Sequence, residues 1–407
     1  MNRMTRFIEK YNILSPNQFG FQQGKSTTNA IVTFTEYIYD SLNKGNHDIS
    51  LFIDLKKAFD TINHNILLQK LHHYGFRGIA LQWLKSYLEN RIQCVKIGNS
   101  LSNQTEINIG VPQGSILGPL LFLLYINDLP NASNLFSTIL FADDTTISMR
   151  SENFCDLVET FNIELINIKK WLIKNRLSIN LEKTYYMVFS NRLPPSDVFP
   201  LYFDHSQIKM KANGKFLGVF IDNRLSFKDH ISYIHSKISK TIGIFYKVKH
   251  YLPENILINL YYSLVYPYLL YCNLAWGGCA PSHSNRLLLL QKRIVRHITN
   301  QAYLAHTNLL FIRTGILKVS DIHFYLLAIE AYKINNTGAF NLPSHTYQTR
   351  NRYTPIPTMQ RLNAANKSLH YSVPYTWNLL PEHVKQCHNL KTFKKQCKDF
   401  LLSRYIN

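Results

Sequence analysis

The 407-residue sequence predicts an α+β chain, in which a domain of mixed helices and strands precedes a helical, basic part. Three observations carry the prediction. Short strand-like runs such as DISLFIDL (48–55) and STILFADDTTISM (137–149) are interleaved with amphipathic helical patterns up to about Asp222. Beyond Asp222 the patterns become long and helical, as in DHISYIHSKISKTIGIFYKVKHYL (229–252). The charge is also uneven. Residues 1–200 hold 19 basic and 17 acidic side chains (19 − 17 = +2), whereas residues 201–407 hold 26 and 8 (26 − 8 = +18), together the net +20 of the chain.

Each element follows from local pattern. MNRMTRFIEKYNIL is an amphipathic helix. STTNAIVTFTEYIYDSLNKG is a helix with Ser26 or Thr27 as cap and Gly45 as stop. The strand DISLFIDL ends near Asp54, and the helices NHNILLQKLHHYG and IALQWLKSYLENR follow. CVKIG and TEINIG read as a strand pair, and GVPQGSILGPLLFLLYINDLP as a Gly-punctuated loop entering an apolar helix. STILFADDTTISM is strand, tight turn, strand. A long helix spans NFCDLVETFNIELINIKKWLIKNRL, and YYMVFS and KFLGVFID are strands. Three helical runs come next, within 229–252, 254–272 and 285–299. From about Gly338 the chain mixes Pro, Asn and basic residues before a last helix, LKTFKKQCKDFLLSRY.

Composition narrows the class. Hydrophobic residues make up 46%, too many for a disordered chain. The longest apolar run, Ile116 to Ile126, is interrupted by Gly118 and Pro119 and is too short for a bilayer, so a soluble protein is expected. The N-terminal stretch lacks a signal-peptide pattern. Six scattered cysteines fit neither a disulfide framework nor a compact zinc module. Cys387 and Cys397, near His383 and His388, leave zinc binding as the alternative to idle thiols. The expected location is intracellular, in cytoplasm or nucleus. The surplus charge of the second half is expected to bind polyanions, of which nucleic acid is the common one.

The acids of the first half raise a chemical question. Asp54 ends one strand, and Asp143 with Asp144 occupies a hairpin 143 − 54 = 89 residues later. An Asp-Asp pair is ordinary in an exposed turn. If the three converge at one sheet edge, however, only a cation makes them tolerable. Few carboxylates with room for water and phosphate suit Mg²⁺, with Mn²⁺ as substitute. Two such ions, roughly 3.5–4 Å apart, activate an attacking oxygen and stabilise a leaving one.

The wider context favours the metal reading. FIDLKKAFDTINH, then VPQGSILGPLLFLLYINDLP, then FADDTTI resembles the reverse transcriptases of non-LTR (LINE-type) retrotransposons, with the jockey-like group nearest. QFGFQQGKSTTNAI, LSINLEKTYYMVF and FLGVFIDNRLSFKDHI follow the same order, and YLLYCNLAWG, LQKRIVRHIT, YLAHTNLLF and WNLLPEHVK resemble the family's C-terminal portion.

The resemblance implies a right-hand polymerase: fingers and palm with an antiparallel sheet over 1–222, a helical thumb over 223–300, and a basic C-terminal helical region over 301–407. By position, Asp54, Asp143 and Asp144 match the metal ligands, with Leu55 adding a backbone carbonyl. Phe59 matches the aromatic gate, whose ring leaves no room for a 2′-hydroxyl; by itself it would read as core. Gln113 and Gly114 match the loop that meets the incoming nucleotide, in place of a simple helix-entry turn. Lys183 matches a lysine that protonates the leaving pyrophosphate, and Lys25 a finger residue on the triphosphate, although Gln22 stands where the family often has Arg. Asp60 matches no ligand position and reads as structural, and KFLGVFID resembles the primer grip.

The implied partners are an RNA template, a DNA primer and deoxynucleotides, with no membrane and no defined oligomeric state. The family's earlier finger segment, preceding endonuclease domain and terminal Cys/His knuckle are not found, so a fragment or shortened frame is expected. Two rivals follow: a relic that binds nucleic acid without turnover, and an RNA-dependent RNA polymerase, against which Phe59 speaks.

Overall fold

The computed structural model describes residues 2–192, 200–338 and 367–406. Much of the Pro-, Asn- and base-rich stretch expected after Gly338 lies outside the described residues. The chain forms two compact units, residues 1–30 with 45–212 and residues 31–44 with 213–407.

In the first unit, helix α1 is Asn2–Lys10, and the body of helix α2 (Thr27–Asn43) belongs to the second unit. Strand β1 (His47–Ile53) is followed by α3 (His64–His73) and α4 (Ile79–Leu88). Asn63 caps α3 by accepting from the Ile66 N–H at 3.1 Å. Four short strands come next: β2 (Arg91–Gln93), β3 (Lys96–Ile97), β4 (Ser100–Leu101) and β5 (Thr105–Ile107). Here the expected pairing of CVKIG with TEINIG is replaced. β3 turns back onto β4, and β5 pairs with β2, because Gly98, at φ +61°, permits a tight turn directly after Ile97. Helix α5 (Gly118–Ile126) is buried along its length apart from partly covered Pro119, as its uniformly apolar sequence requires.

Strands β6 (Ser137–Phe141) and β7 (Asp144–Ser151), helix α6 (Phe154–Lys174) and strand β8 (Tyr185–Phe189) complete the centre. The short strands β9 (Tyr202–Phe203), β10 (Ser206–Gln207) and β11 (Lys209–Met210) follow. One five-stranded sheet runs β11-β8-β1-β7-β6, with every pair antiparallel except β11 with β8. β1 is buried on both faces. Ile49, Leu51 and Ile53 join the apolar core under α3, α5 and α6. The alternate residues include Asp48, whose carboxyl burial pushes up to about 8. Ser50 donates to it at 2.8 Å and pairs with Ser148 at 2.7 Å.

The second unit begins with the hairpin β12 (Asn213–Phe216) and β13 (Val219–Asp222). KFLGVFID is therefore a hairpin rather than one strand. Leu217 and Gly218, at φ +44° and +87°, make its turn, and the Tyr271 hydroxyl donates to the Leu217 carbonyl at 2.7 Å. Helices α7 (Lys228–Val248), α8 (Glu254–Leu264), α9 (Tyr266–Leu270), α10 (Asn273–Trp276), α11 (Pro281–Ile298), α12 (Asn308–Thr314) and α13 (Val319–Asn336) follow. The expected single run over 254–272 breaks at Val265, since Pro267 cannot continue the ladder. Helices α14 (Leu369–Asn378), α15 (Glu382–Lys385) and α16 (Leu390–Ser403) close the unit. Buried Gln291 ties α11 to its neighbours. Its amide donates to the Tyr261 hydroxyl at 2.7 Å and the Leu317 carbonyl at 2.9 Å, and accepts from the Val319 N–H at 2.8 Å. Among the described residues no helix is long and apolar enough to cross a membrane.

Candidate active site

The central strand delivers its acid at the sheet's end. β1 pairs with β7 through Ile53 and Thr145, so Asp54 and Asp144 are the next residues of the two strands. β6 and β7 close at Phe141 and Asp144, which leaves Ala142 and Asp143 as a two-residue turn. The adjacent acids thus divide their duties: Asp143 sits in the turn and Asp144 opens the strand. Burial, and then the charges of Asp143 and Asp54, push the Asp144 carboxyl up to about 6.

Asp54 is held from the 178–184 segment. Its N–H donates to the Thr184 hydroxyl at 3.2 Å, and its carbonyl accepts from the Asn180 N–H at 2.7 Å. The Lys56 N–H donates to the Ser178 carbonyl at 2.8 Å, so Leu55 bridges Ile179 with its own amide and carbonyl outside that pairing. The same segment sets Lys183 Nζ 4.0 Å from Asp54 Oδ2.

The loop after Asp54 carries the ring and the amide. Phe59 stacks on Phe122 of α5, centroids 4.5 Å apart, and its carbonyl accepts from the Val111 N–H at 2.9 Å. Gln113 Nε2 donates to Asp60 Oδ1 at 2.8 Å. Gly110, at φ +85°, passes so close that a Cβ would lie 2.8 Å from the Asp60 carbonyl oxygen. Gly114, at φ +81°, faces open space.

An open cavity of about 930 Å³ has Asp54, Leu55, Phe59, Gln113, Asp143 and Lys183 in its wall. Six of the nine expected residues thus share one cleft. Asp144, exposed and adjacent in sequence to Asp143, and Gly114, adjacent to Gln113, are not among the lining residues. Lys25 is not among the residues that line this cavity: its ammonium donates to the Pro16 and Gln18 carbonyls, each at 2.7 Å, and stands 5.0 Å from the Phe19 ring centroid. Burial holds its pKa below the usual lysine range.

The donor set of the cleft, carboxylates and one free carbonyl, fits a hard divalent cation. Among the described residues no three His, Cys, Asp or Glu side chains converge closely enough to enclose an ion. Asp144 feels the charges of Asp143 and Asp54, while the three carboxylates do not form a closed ligand shell. The zinc alternative at Cys387 and Cys397 likewise finds no cluster. Burial pushes the Cys397 thiol up to about 12, and the Cys387 thiol donates to Gln396 Oε1 at 3.0 Å.

Sequence reading missed Thr184, Asn180 and the Asp60–Gln113 bond. Thr184 and Asn180 flank Lys183 in NLEKT, and their proximity was the available signal. Gln18 was also missed: it opens the QFGFQQGKSTTNAI stretch, but nothing in that stretch points to its partner Ala142.

Residues 1–221, more than half of the chain, match the family model described as reverse transcriptase (RNA-dependent DNA polymerase). The chain is 29% identical over 313 residues to the "Probable RNA-directed DNA polymerase from transposon X-element" of Drosophila melanogaster, covering 73% of this chain and 33% of that one. It is 30% identical over 323 residues to the corresponding protein from transposon BS of the same species, covering 74% and 34%. With the "RNA-directed DNA polymerase from mobile element jockey" of Drosophila funebris it shares 26% over 332 residues, covering 79% and 36%. The chain belongs to the reverse transcriptase family. The expected kinship with jockey-like non-LTR elements is borne out by these relatives, and the chain spans about a third of their length.

Proposed function

We propose that the chain is an RNA-directed DNA polymerase, a nucleotidyl transferase that adds deoxynucleotides to a DNA primer on an RNA template. The observation that carries this reading is the meeting of Asp54 and Asp143 with Phe59, Gln113 and Lys183 in one cleft at the end of the central strands. The five-stranded sheet is the palm, α7 to α11 the thumb, and the basic remainder a grip on nucleic-acid backbone. The basic half contributes phosphate contacts without reading sequence.

Asp54, Asp143 and Asp144, with the Leu55 carbonyl, would hold Mg²⁺, which when bound lowers the pKa of the primer 3′-hydroxyl and neutralises charge on the phosphates. The chain's own residues do the rest. Phe59, backed by Phe122, limits the space beside the sugar C2′. Gln113, oriented by Asp60, presents its amide to the nucleotide. Lys183, beside Asp54, carries the proton for the leaving pyrophosphate.

The test is primer extension by the full chain on an RNA template, with deoxynucleotides or ribonucleotides and Mg²⁺. Extension with deoxynucleotides supports the reading. Template–primer binding without any extension would mark a relic that binds and does not turn over, and ribonucleotide-only extension would mark an RNA polymerase.

A further inference from the structure

We infer that Gln18 and Gly20 are positioning residues that clamp the Asp143–Asp144 turn, and that Lys25 braces this clamp. The inference rests on the polymerase reading for its effect on catalysis. Its structural part stands alone.

The segment Asn17–Gly20 lies along the edge of the sheet as a parallel strand-like addition to β6. Gln18 bridges Leu140 in parallel register. The Leu140 N–H donates to the Asn17 carbonyl at 2.9 Å, and the Phe19 N–H donates to the Leu140 carbonyl at 2.7 Å. One residue further on, the side chain takes over. Gln18 Oε1 accepts from the Ala142 N–H at 3.0 Å and from the Gly20 N–H at 2.8 Å. Ala142 is the first residue of the acid turn, and its N–H therefore has a fixed acceptor 124 positions away in sequence.

Three features argue that this bond has a purpose beyond filling space. First, Gln18 is fully buried at 0% exposure, and its Nε2 has no partner among the described residues. An apolar side chain would avoid the cost of that buried donor, so the position gains from the acceptor oxygen. Second, Ala142 has φ +54°, a left-handed conformation that an L-residue with a Cβ adopts only against a penalty, and it persists where its surroundings fix it. Third, Gly20 has no positive φ to explain it. A Cβ there would lie 2.5 Å from the Ala142 nitrogen and 3.1 Å from the Phe141 carbonyl carbon. The turn backbone occupies the space that any larger residue would need.

The brace lies behind the clamp. The Gln18 carbonyl accepts from Lys25 Nζ at 2.7 Å and from Gln22 Nε2 at 2.9 Å, and Lys25 Nζ also donates to the Pro16 carbonyl at 2.7 Å. Lys25 and Gln22 thus fix the backbone from which the Gln18 side chain reaches the turn. An ammonium occupied in this way serves position rather than the triphosphate.

Four variants of the 407-residue chain test the assignment: Gln18→Met, Gly20→Ala, Lys25→Met and, as the conservative control that keeps an acceptor oxygen, Gln18→Glu. The readouts are hydrogen exchange of the 138–146 amides, Mn²⁺ affinity of the nucleic-acid-free protein by electron paramagnetic resonance, template–primer affinity, and the kcat and deoxynucleotide KM of extension. Gln18→Met and Gly20→Ala should speed exchange at Ala142 by about tenfold or more, the scale of a lost bond to a buried group. They should also weaken Mn²⁺ binding and lower kcat, with template–primer affinity near that of the parent, and the backbone shift that Gly20→Ala forces should lower its melting temperature. Gln18→Glu should restore most of the exchange protection. Lys25→Met, a milder change than the two buried ones, should speed the same exchange and leave the deoxynucleotide KM in place.

Unchanged exchange and Mn²⁺ affinity in both Gln18→Met and Gly20→Ala would overturn the clamp, whatever happens to extension. A Lys25→Met protein with parental exchange and a raised deoxynucleotide KM would overturn the brace and return Lys25 to the triphosphate. A parent chain that extends no primer sinks the polymerase reading and leaves the exchange and Mn²⁺ results to decide the clamp.

Discussion

The ring of Phe59 lies on that of Phe122, with centroids 4.5 Å apart and planes 27° from parallel. Phe122 is fully buried in α5, whereas Phe59 is partly covered and lines the cleft. A fixed ring thus backs an accessible one. Replacing Phe59 with Ala should raise ribonucleotide use relative to deoxynucleotide use by about tenfold to a hundredfold, the range in which a shaped pocket sorts one added group. Phe122→Leu should shift the ratio in the same direction by less. Single-nucleotide incorporation with competing substrates measures both, and unchanged ratios would reduce Phe59 to packing.

The raised carboxyl of Asp144 makes a pH prediction. A protonated carboxyl is a poor ligand for a hard cation, and Asp144 is pushed up to about 6. Mn²⁺ affinity should therefore fall as pH drops through about 6. In Asp143→Asn one source of repulsion is gone, so the midpoint should move down. A titration of Mn²⁺ affinity from pH 5 to 8 shows whether it does.

The same shift predicts a gain in stability from losing an acid. The folded-state pKa of Asp144 lies above the unfolded value of 3.8, so the folded state binds protons more tightly. Ionisation therefore costs stability as pH rises from about 4 through about 6, and the cost is full above that window. Metal-free Asp144→Asn should be more stable than the parent at pH 7, by on the order of 1 kcal/mol once solvent screening of an exposed side chain is allowed for. Denaturant melts at pH 7 and pH 4 measure the difference, which should shrink at the lower pH. A loss of stability at pH 7 would show that Asp144 is well solvated or paired.

Nucleic-acid affinity should fall steeply with salt. The net +18 of residues 201–407 supplies the charge, and Lys240 and Lys247 on α7 are exposed. If both touch phosphate, the double variant Lys240→Ala/Lys247→Ala should reduce the slope of log K against log salt by about 2, near 0.9 per contact. Binding isotherms at several salt concentrations decide it.

The acids and the central strands were legible because their signals are local: an apolar run, a two-residue turn and a pair of carboxylates within it. The place of Phe59 in the cleft was legible only through its position five residues after Asp54. What sequence could not display was contact across distance. Gln18 reaches Ala142 through a single oxygen, and no periodicity near residue 18 registers that bond. Lys25 was expected as a finger residue on the triphosphate, and no local pattern announced the bonds of its ammonium to the Pro16 and Gln18 carbonyls. The pairing of β2 with β5 in place of β3 was hidden because short exposed strands differ little in composition. In KFLGVFID, the turn at Leu217 depends on a non-glycine residue with positive φ, which pattern alone assigns to a strand.

On the proposed function, Asp54, Asp143 and Asp144 form one metal-dependent centre for DNA synthesis on RNA. The most direct measurement is single-turnover extension by the parent chain and by Asp143→Asn, on the same RNA template and DNA primer, with Mg²⁺ and with template–primer affinity measured alongside. The predicted result is extension by the parent, a loss of at least about a thousandfold in rate for Asp143→Asn, and affinities within about twofold of each other, because catalysis by carboxylate-held metal is removed while the basic half is untouched. Comparable extension rates for the two proteins would contradict the assignment of this cleft as the catalytic centre.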